Sequence, residues 1–301
     1  MARLFHSKSG HTAGELIVVV ERRLRRARVF FGHGTDNARD EAAALVFHAM
    51  QLSHGAPSSV LRRRGTAAQR QCIDALLERR IGERVPLAYL THETWFAGLR
   101  FYVDERVLIP RSPFAELIER RFAPWIDARR VTRILDLGTG SGCIALAMAK
   151  ALPRARVDAV DIDAGALEVA AINRRRLRLT RRVRLIESDH FAALSGESYD
   201  IIASNPPYVG QREMRGLPRE YRHEPELALA SGRAGLDSVA VILRQAARHL
   251  RPRGLLVVEV GNTERALKRA YPRMPFTWLD FERGGGGVFL MTREQLVQTA
   301  D

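Results

Sequence analysis

Asn205, Pro206, Pro207 and Tyr208 stand together directly after a short apolar run, Tyr199-Asp200-Ile201-Ile202-Ala203-Ser204. The run reads as a buried strand, and two prolines stop it. Proline has no N–H, fixes its own φ and pushes the preceding residue towards extended backbone. Asn205 is thereby placed in a stiff loop at a strand's carboxyl end, where open α/β sheets bind ligands. The loop offers the amide oxygen of Asn205, the carbonyl of Pro206 and the ring of Tyr208. Two acceptors and a flat ring suit a planar amide or amino group with two N–H donors. Taken alone, the same four residues are equally a turn between sheet and helix.

A second chemical stretch, Asp136-Leu137-Gly138-Thr139-Gly140-Ser141-Gly142, follows the apolar run that ends at Leu137. Its glycines let backbone approach a ligand closely, a property shared with dinucleotide-binding enzymes. Asp136, ahead of the glycines, departs from the dinucleotide fingerprint and suits an ammonium group. Asp161 ends the next strand, roughly 20 residues on, where an acid can bind ribose hydroxyls. Asp189 ends the third, where a carboxylate can accept from an adenine amino group. Each acid singly is also an ordinary helix N-cap or surface charge. Three at successive strand ends beside a glycine loop point to S-adenosylmethionine.

These residues need a sheet to hold them. Apolar runs at 131–137, 156–161, 183–188, 199–204 and 255–260 read as strands, with helical patterns at 141–152, 164–179 and 236–250. That alternation predicts a doubly wound, mostly parallel sheet with helices on both faces. Runs at 276–281 and 287–291, separated by Gly284 to Gly287, predict a closing pair with an antiparallel edge strand. Ahead of this α/β domain, apolar spacing predicts three helices within residues 12–81. Tyr89 to Phe96 and Leu99 to Val103 read as a β-hairpin, followed by the stiff connector Val107-Leu108-Ile109-Pro110-Arg111-Ser112-Pro113. The expected division is a helical substrate-recognition domain to residue 85, hairpin and connector over 86–112, and the α/β domain over 113–301.

The α/β domain resembles the class I S-adenosylmethionine-dependent methyltransferases, and Asn205-Pro206-Pro207-Tyr208 resembles their amino-group-methylating branch. Pro110-Arg111-Ser112-Pro113, His223-Glu224-Pro225-Glu226-Leu227-Ala228-Leu229 and Phe281-Glu282-Arg283-Gly284-Gly285-Gly286-Gly287 are similar to the protein-glutamine N5-methyltransferases. Ser112-Pro113-Phe114-Ala115 after Arg111 favours the branch acting on the third protein of the large ribosomal subunit over the release-factor branch. The resemblance implies methyl transfer from S-adenosylmethionine, leaving S-adenosylhomocysteine, to a glutamine side-chain amide. It places the cofactor's methionine part along Gly138, Thr139, Gly140 and Gly142, its ribose at Asp161, and its adenine near Ile162, Asp189 and Phe191. It places the acceptor amide on Asn205, Pro206, Pro207 and Tyr208, with Arg111 and Glu224 closing the pocket.

Composition narrows the class. With 301 residues, 46% hydrophobic and 27% charged, the chain has the balance of a globular protein. Its apolar runs are too short to span a bilayer, and a cytoplasmic enzyme is expected. Two cysteines, Cys72 and Cys143, make no disulfide framework or zinc site. His33, His48 and His54 lack metal-ligand spacing, so no metal is expected. A formal charge of +14, almost all arginine, has two readings: ribosomal RNA near the enzyme, or arginine spread over solvated helix faces. A nucleic-acid amino methyltransferase and a non-catalytic ribosome-assembly factor remain the competing classes.

Overall fold

The computed structural model describes residues 10–53 and 55–299; His54 lies outside them. The chain separates into two compact units, Met1–Glu93 with Pro218–His223, and Thr94–Leu217 with Glu224–Asp301.

In the first unit, α1 (Ala13–Ala27), α2 (Ala38–Met50) and α3 (Ala67–Gly82) precede the short α4 (Leu87–Thr91). Thr12 and Glu15 form a capping box at the start of α1, as Thr66 and Gln69 do for α3, satisfying N–H groups that the helix itself leaves unpaired. Leu16, Val20 and Leu24 of α1 pack with Leu45 and Val46 of α2 and Ile73 and Leu77 of α3, the one-face burial that helical spacing dictates. The β-prone Tyr89-Leu90-Thr91 was expected in a strand and is instead helical. Pro86 stands at the N-cap with a ψ of 140°, and without an N–H it cannot donate to a sheet ladder. Burial of Leu87, Ala88 and Tyr89 then holds the turn. His33 packs edge-on against Tyr221, ring centroids 4.6 Å apart.

The second unit opens with the hairpin β1 (Thr94–Phe96) and β2 (Leu99–Phe101), shorter than the expected one. Then follow α5 (Phe114–Glu119), β3 (Arg133–Leu137), α6 (Cys143–Ala151), β4 (Arg156–Asp161), α7 (Ala164–Arg176), β5 (Val183–Glu187) and β6 (Tyr199–Ser204). α8 (Gln211–Met214), α9 (Asp237–His249), β7 (Leu250–Glu259), α10 (Glu264–Ala270), β8 (Thr277–Leu279), β9 (Val288–Thr292) and α11 (Arg293–Gln298) complete it. The seven strands lie in the order β5-β4-β3-β6-β7-β9-β8. Pairings from β5 through β7 are parallel; β9 runs antiparallel to β7 and to the edge strand β8.

Side chains alternate across the sheet. Ile134, Val157, Ile201 and Val257 face the core that contains α6, while Leu135, Val160, Ile202 and Val258 face the core that contains α9. Burial on both faces is why these strands are continuous apolar runs. β7 begins five residues earlier than its apolar stretch, carrying Pro252 beside a register shift against Tyr199; proline is tolerated at such an irregularity. The strand order reverses at β3, which has β4 on one side and β6 on the other. A ligand crevice belongs there, and both chemical stretches follow these strands.

Candidate active site

The two strand ends are tied. Ser204 Oγ donates to the Leu137 carbonyl at 2.8 Å, and a side chain at Gly138 would stand 3.9 Å from the Asn205 carbonyl. Gly138 and Gly140 have φ of 68° and 52°, a region that L side chains rarely enter. The loop is fixed from below by Asp136, which is 0% exposed. Its Oδ2 accepts from Thr139 Oγ1 at 2.6 Å and from the Ala145 N–H at 3.1 Å. Burial, aided by repulsion from Asp161, pushes the Asp136 carboxyl up to about 7. From the side, Asp161 Oδ2 accepts from the Gly140 N–H at 2.7 Å, and its Oδ1 from the Asp163 N–H at 3.0 Å. Burial again raises its pKa.

Together these elements line a cavity of about 740 Å³, within the range of small-molecule sites. Gly138, Thr139, Gly140, Asp161, Ile162, Asp189, Arg111, Asn205, Pro206 and Pro207 are on its wall. Ile162 is 52% exposed, an apolar side chain free to cover a flat ring. The Asn205 Oδ1 atom is buried without a hydrogen-bond partner, and a buried acceptor left unpaired is costly unless a ligand satisfies it. Bare glycine backbone, two acids and an orphaned amide oxygen around one cavity fit an adenosyl cofactor beside an amide acceptor.

Five expected site residues stand off the wall. Asp136 is beneath the loop and organises it, and its Oδ1 is buried without a partner. Gly142 caps α6, where a side chain would meet Ala170 and Leu146 at 3.2 Å. Phe191 is buried in the α9-side core and stacks on His249 at 4.7 Å; the chain turns after Asp189 and sends the ring inward. Glu224 is buried in a two-pronged pair with Arg111, at 2.5 and 2.7 Å, and also accepts from the Ile109 N–H. That pair braces the connector. Tyr208 is half-buried, its hydroxyl donating to Glu259 Oε1 at 3.2 Å. A side chain at Gly261 would lie 2.6 Å from the Tyr208 ring, so glycine there gives the ring its seat.

Sequence reasoning missed several supporting residues. Glu259 reads as the penultimate residue of the apolar run 255–260, yet its buried carboxyl also takes the Ser112 hydroxyl at 2.5 Å. Burial pushes it up to about 7 against those hydrogen bonds and nearby Arg111. Asn173, fully buried on α7, joins the glycine loop to the hairpin: Nδ2 donates to the Ser141 and Tyr102 carbonyls, and Oδ1 accepts from the Tyr102 N–H. His190, with a φ of 48°, bridges Asp189 Oδ1 at 2.6 Å and Ser238 Oγ at 2.7 Å. No spacing rule marks these residues, because every partner except Asp189 lies thirty or more residues away in sequence.

A raised carboxyl destabilises the fold when it ionises. Because the Glu259 pKa is higher folded than unfolded, its contribution is favourable at low pH and is lost as pH rises towards about 7. Glu259→Gln should therefore gain thermal stability relative to the parent protein as pH moves from 5 to 8. Melting temperatures of both proteins across that range test this, and a pH-independent difference would reject it.

Among the described residues no group of three His, Cys, Asp or Glu is placed to hold a metal, and no helix is long and apolar enough to cross a membrane.

Comparison with known proteins agrees with this geometry. Residues 120–217 match the family model "Methyltransferase small domain", and residues 21–91 match "PrmC N-terminal domain". The chain is 50% identical over 276 residues, covering 91% of each protein, to the ribosomal protein uL3 glutamine methyltransferase of Neisseria meningitidis serogroup B. It is 48% identical over 287 residues to the protein of that name from Xanthomonas campestris pv. campestris, covering 95% of this chain and 93% of the other. Among solved structures, the hMettl16 catalytic domain with the MAT2A 3'UTR hairpin 6 shares the fold, at 17% identity and a TM-score of 0.51. That alignment covers 73% of this chain and 79% of the other. With half its residues identical over nine-tenths of its length, the chain belongs to the family of the ribosomal protein uL3 glutamine methyltransferases.

Proposed function

We propose that this enzyme transfers a methyl group from S-adenosylmethionine to the side-chain amide nitrogen of a glutamine in ribosomal protein uL3, in the cytoplasm where ribosomes assemble. The observation that carries the reading is the orphaned Asn205 Oδ1 at the cavity wall, set beside the glycine loop of a chain from this family. Gly138 to Gly140 would hold the methionine part of the cofactor against bare backbone. Asp161 keeps lone pairs free for ribose hydroxyls, and Ile162 and Asp189 serve the adenine. The bound cofactor supplies an activated sulfonium methyl.

The chain's own work is to aim an amide. An amide nitrogen is a weak nucleophile because its lone pair is delocalised into the carbonyl. Asn205 Oδ1 and the Pro206 carbonyl would accept its two N–H groups and turn the lone pair towards the methyl. With that cofactor bound, the amide nitrogen would take the methyl with S-adenosylhomocysteine as the leaving group, and the displaced amide proton would pass to water. Positioning and neutral acceptors carry this step, and no residue is assigned as a general base. Tyr208, held by Glu259 and seated on Gly261, sets the loop that presents these acceptors. The N-terminal helical unit serves substrate recognition in this reading.

The test is incubation with labelled cofactor and purified uL3, release factor or ribosomal RNA, followed by mass spectrometry. Methylglutamine in uL3 is expected. Label confined to release factor or RNA would replace the proposed acceptor, and no label in any would reject enzymatic methylation of these three.

A further inference from the structure

The cavity occupies the carboxyl ends of β3, β4 and β5, and their amino ends carry arginine. Arg133 opens β3 and is in register with Arg156, which opens β4. Arg182 precedes β5, its carbonyl accepting from the Val157 N–H at 2.8 Å. α7 runs to the same end, finishing on Arg174-Arg175-Arg176, with Arg178 and Arg181 in the turn before β5. Acids here are already committed. Asp158 and Glu197 hold Arg133 and Arg184, and Asp127 holds Arg129. Arg174 donates to the Val183 carbonyl, Arg182 to the Pro153 carbonyl, and Arg176 lies 5.0 Å over the Tyr102 ring.

Among those left over are four on β4, α7 and the turn after it. Arg156, Arg175, Arg178 and Arg181 are exposed, and none makes an ion pair or side-chain hydrogen bond among the described residues. The apolar residues between them face inward: Leu179 is buried and Leu177 packs against the same core. The face is thus cationic, with nothing at hand to insert into a bilayer. Guanidinium groups match phosphate oxygens with their fork of donors, and hydrogen bonds of that kind position a protein on nucleic acid without reading its sequence.

We propose that this end of the sheet docks on the phosphate backbone of RNA. The proposal rests on the reading that the acceptor is a ribosomal protein, whose setting is RNA. Its geometry suits that setting: β4 has six residues, which at about 3.3 Å each put the arginine face roughly 20 Å from the cavity mouth. RNA held at one end leaves the other open to a protein side chain, so one particle can be gripped by its RNA and modified on its protein.

The experiment is fluorescence anisotropy of a labelled, random-sequence RNA duplex with the full chain over a salt series. Replacing Arg156, Arg175, Arg178 and Arg181 together by alanine should weaken binding more than about tenfold. The same replacement should lower the log–log salt slope by about 3.6, since each phosphate that an arginine neutralises adds about 0.9 to it. A charge-matched control, alanine at Arg22, Arg26, Arg62 and Arg63, should stay within about twofold of the parent protein. Equal weakening in the control would reduce the effect to net charge and overturn the proposal. So would absence of RNA binding by the parent protein, or retention by phosphatidylserine vesicles through the same four arginines without RNA binding. Methylation of free uL3 is measured in parallel and should be unchanged in the variant at Arg156, Arg175, Arg178 and Arg181; a parent protein that binds RNA but methylates no protein would fail the functional reading and leave the docking face standing.

Discussion

Alanine at Asn205 is expected to lower methyl transfer by at least about 10³-fold while S-adenosylhomocysteine affinity stays within about threefold. Removing one hydrogen-bonding group aimed at a reacting centre costs on the order of 10²–10³ in rate, and here the same group also orients the nucleophile. The fold does not depend on it. Strand ends β3 and β6 are joined by Ser204 Oγ and the Leu137 carbonyl, and Pro206 and Pro207 stiffen the loop whatever precedes them. Because Asn205 Oδ1 has no protein partner, its loss leaves no other protein group unpaired. Calorimetric titration with S-adenosylhomocysteine beside a labelled-methyl assay separates the two effects. Turnover within tenfold of the parent protein would remove Asn205 from the reaction, and lost cofactor affinity would make it a scaffold residue.

The largest stability effect should come from a residue with no chemistry to do. Arg80 on α3 is 1% exposed. Its guanidinium donates to Glu41 Oε1 at 2.7 Å, to Glu220 Oε1 at 3.2 Å and to the Phe30 carbonyl at 2.6 Å. Arg80→Ala would strand the buried Glu41 carboxylate and leave Glu220 only the longer pair with Arg84 at 3.6 Å, and breaking a buried pair from one side costs about 3–5 kcal/mol. Hydrogen bonds from the Phe30 N–H to Glu220 and from the Thr35 hydroxyl to Glu41 would remain but cannot neutralise both charges. Equilibrium urea unfolding should show the loss. Arg80→Met combined with Glu41→Gln and Glu220→Gln, which removes the charges together, should recover part of it. A cost below about 1 kcal/mol for Arg80→Ala would mean that water reaches the cluster.

The contrast between these residues explains what a sequence can display. Asn205 stood out because two prolines must stop a strand, and the glycine loop because only glycine permits its φ values. Strands buried on both faces announced themselves as unbroken apolar runs, which is why the parallel sheet and the crevice at its point of reversal were legible. Arg80 did not stand out, being one arginine among many, and its acids arrive from positions 41 and 220. Glu259 was hidden at the end of an apolar strand, where its position gave no sign of the Tyr208 and Ser112 hydroxyls. Tyr89 to Thr91 misled because side-chain propensity favoured a strand while Pro86 and the burial of Leu87 selected a helix. The strand-end position of Asp161 points to a ribose ligand, and its hydrogen bond with the Gly140 N–H is not legible from that position alone.

The segment Pro218–His223 completes the first unit although more than a hundred residues of the second unit precede it in the chain. During synthesis the helices up to residue 93 therefore emerge with Arg80 and Glu41 in place and Glu220 still unmade. Until then the guanidinium lacks one of its two carboxylates, and the cluster must stay open to water. The sheet strands β3 to β6 leave the ribosome in that interval. Chains normally finish their amino-terminal domain first; this one must leave its first unit unfinished until most of the second has been made.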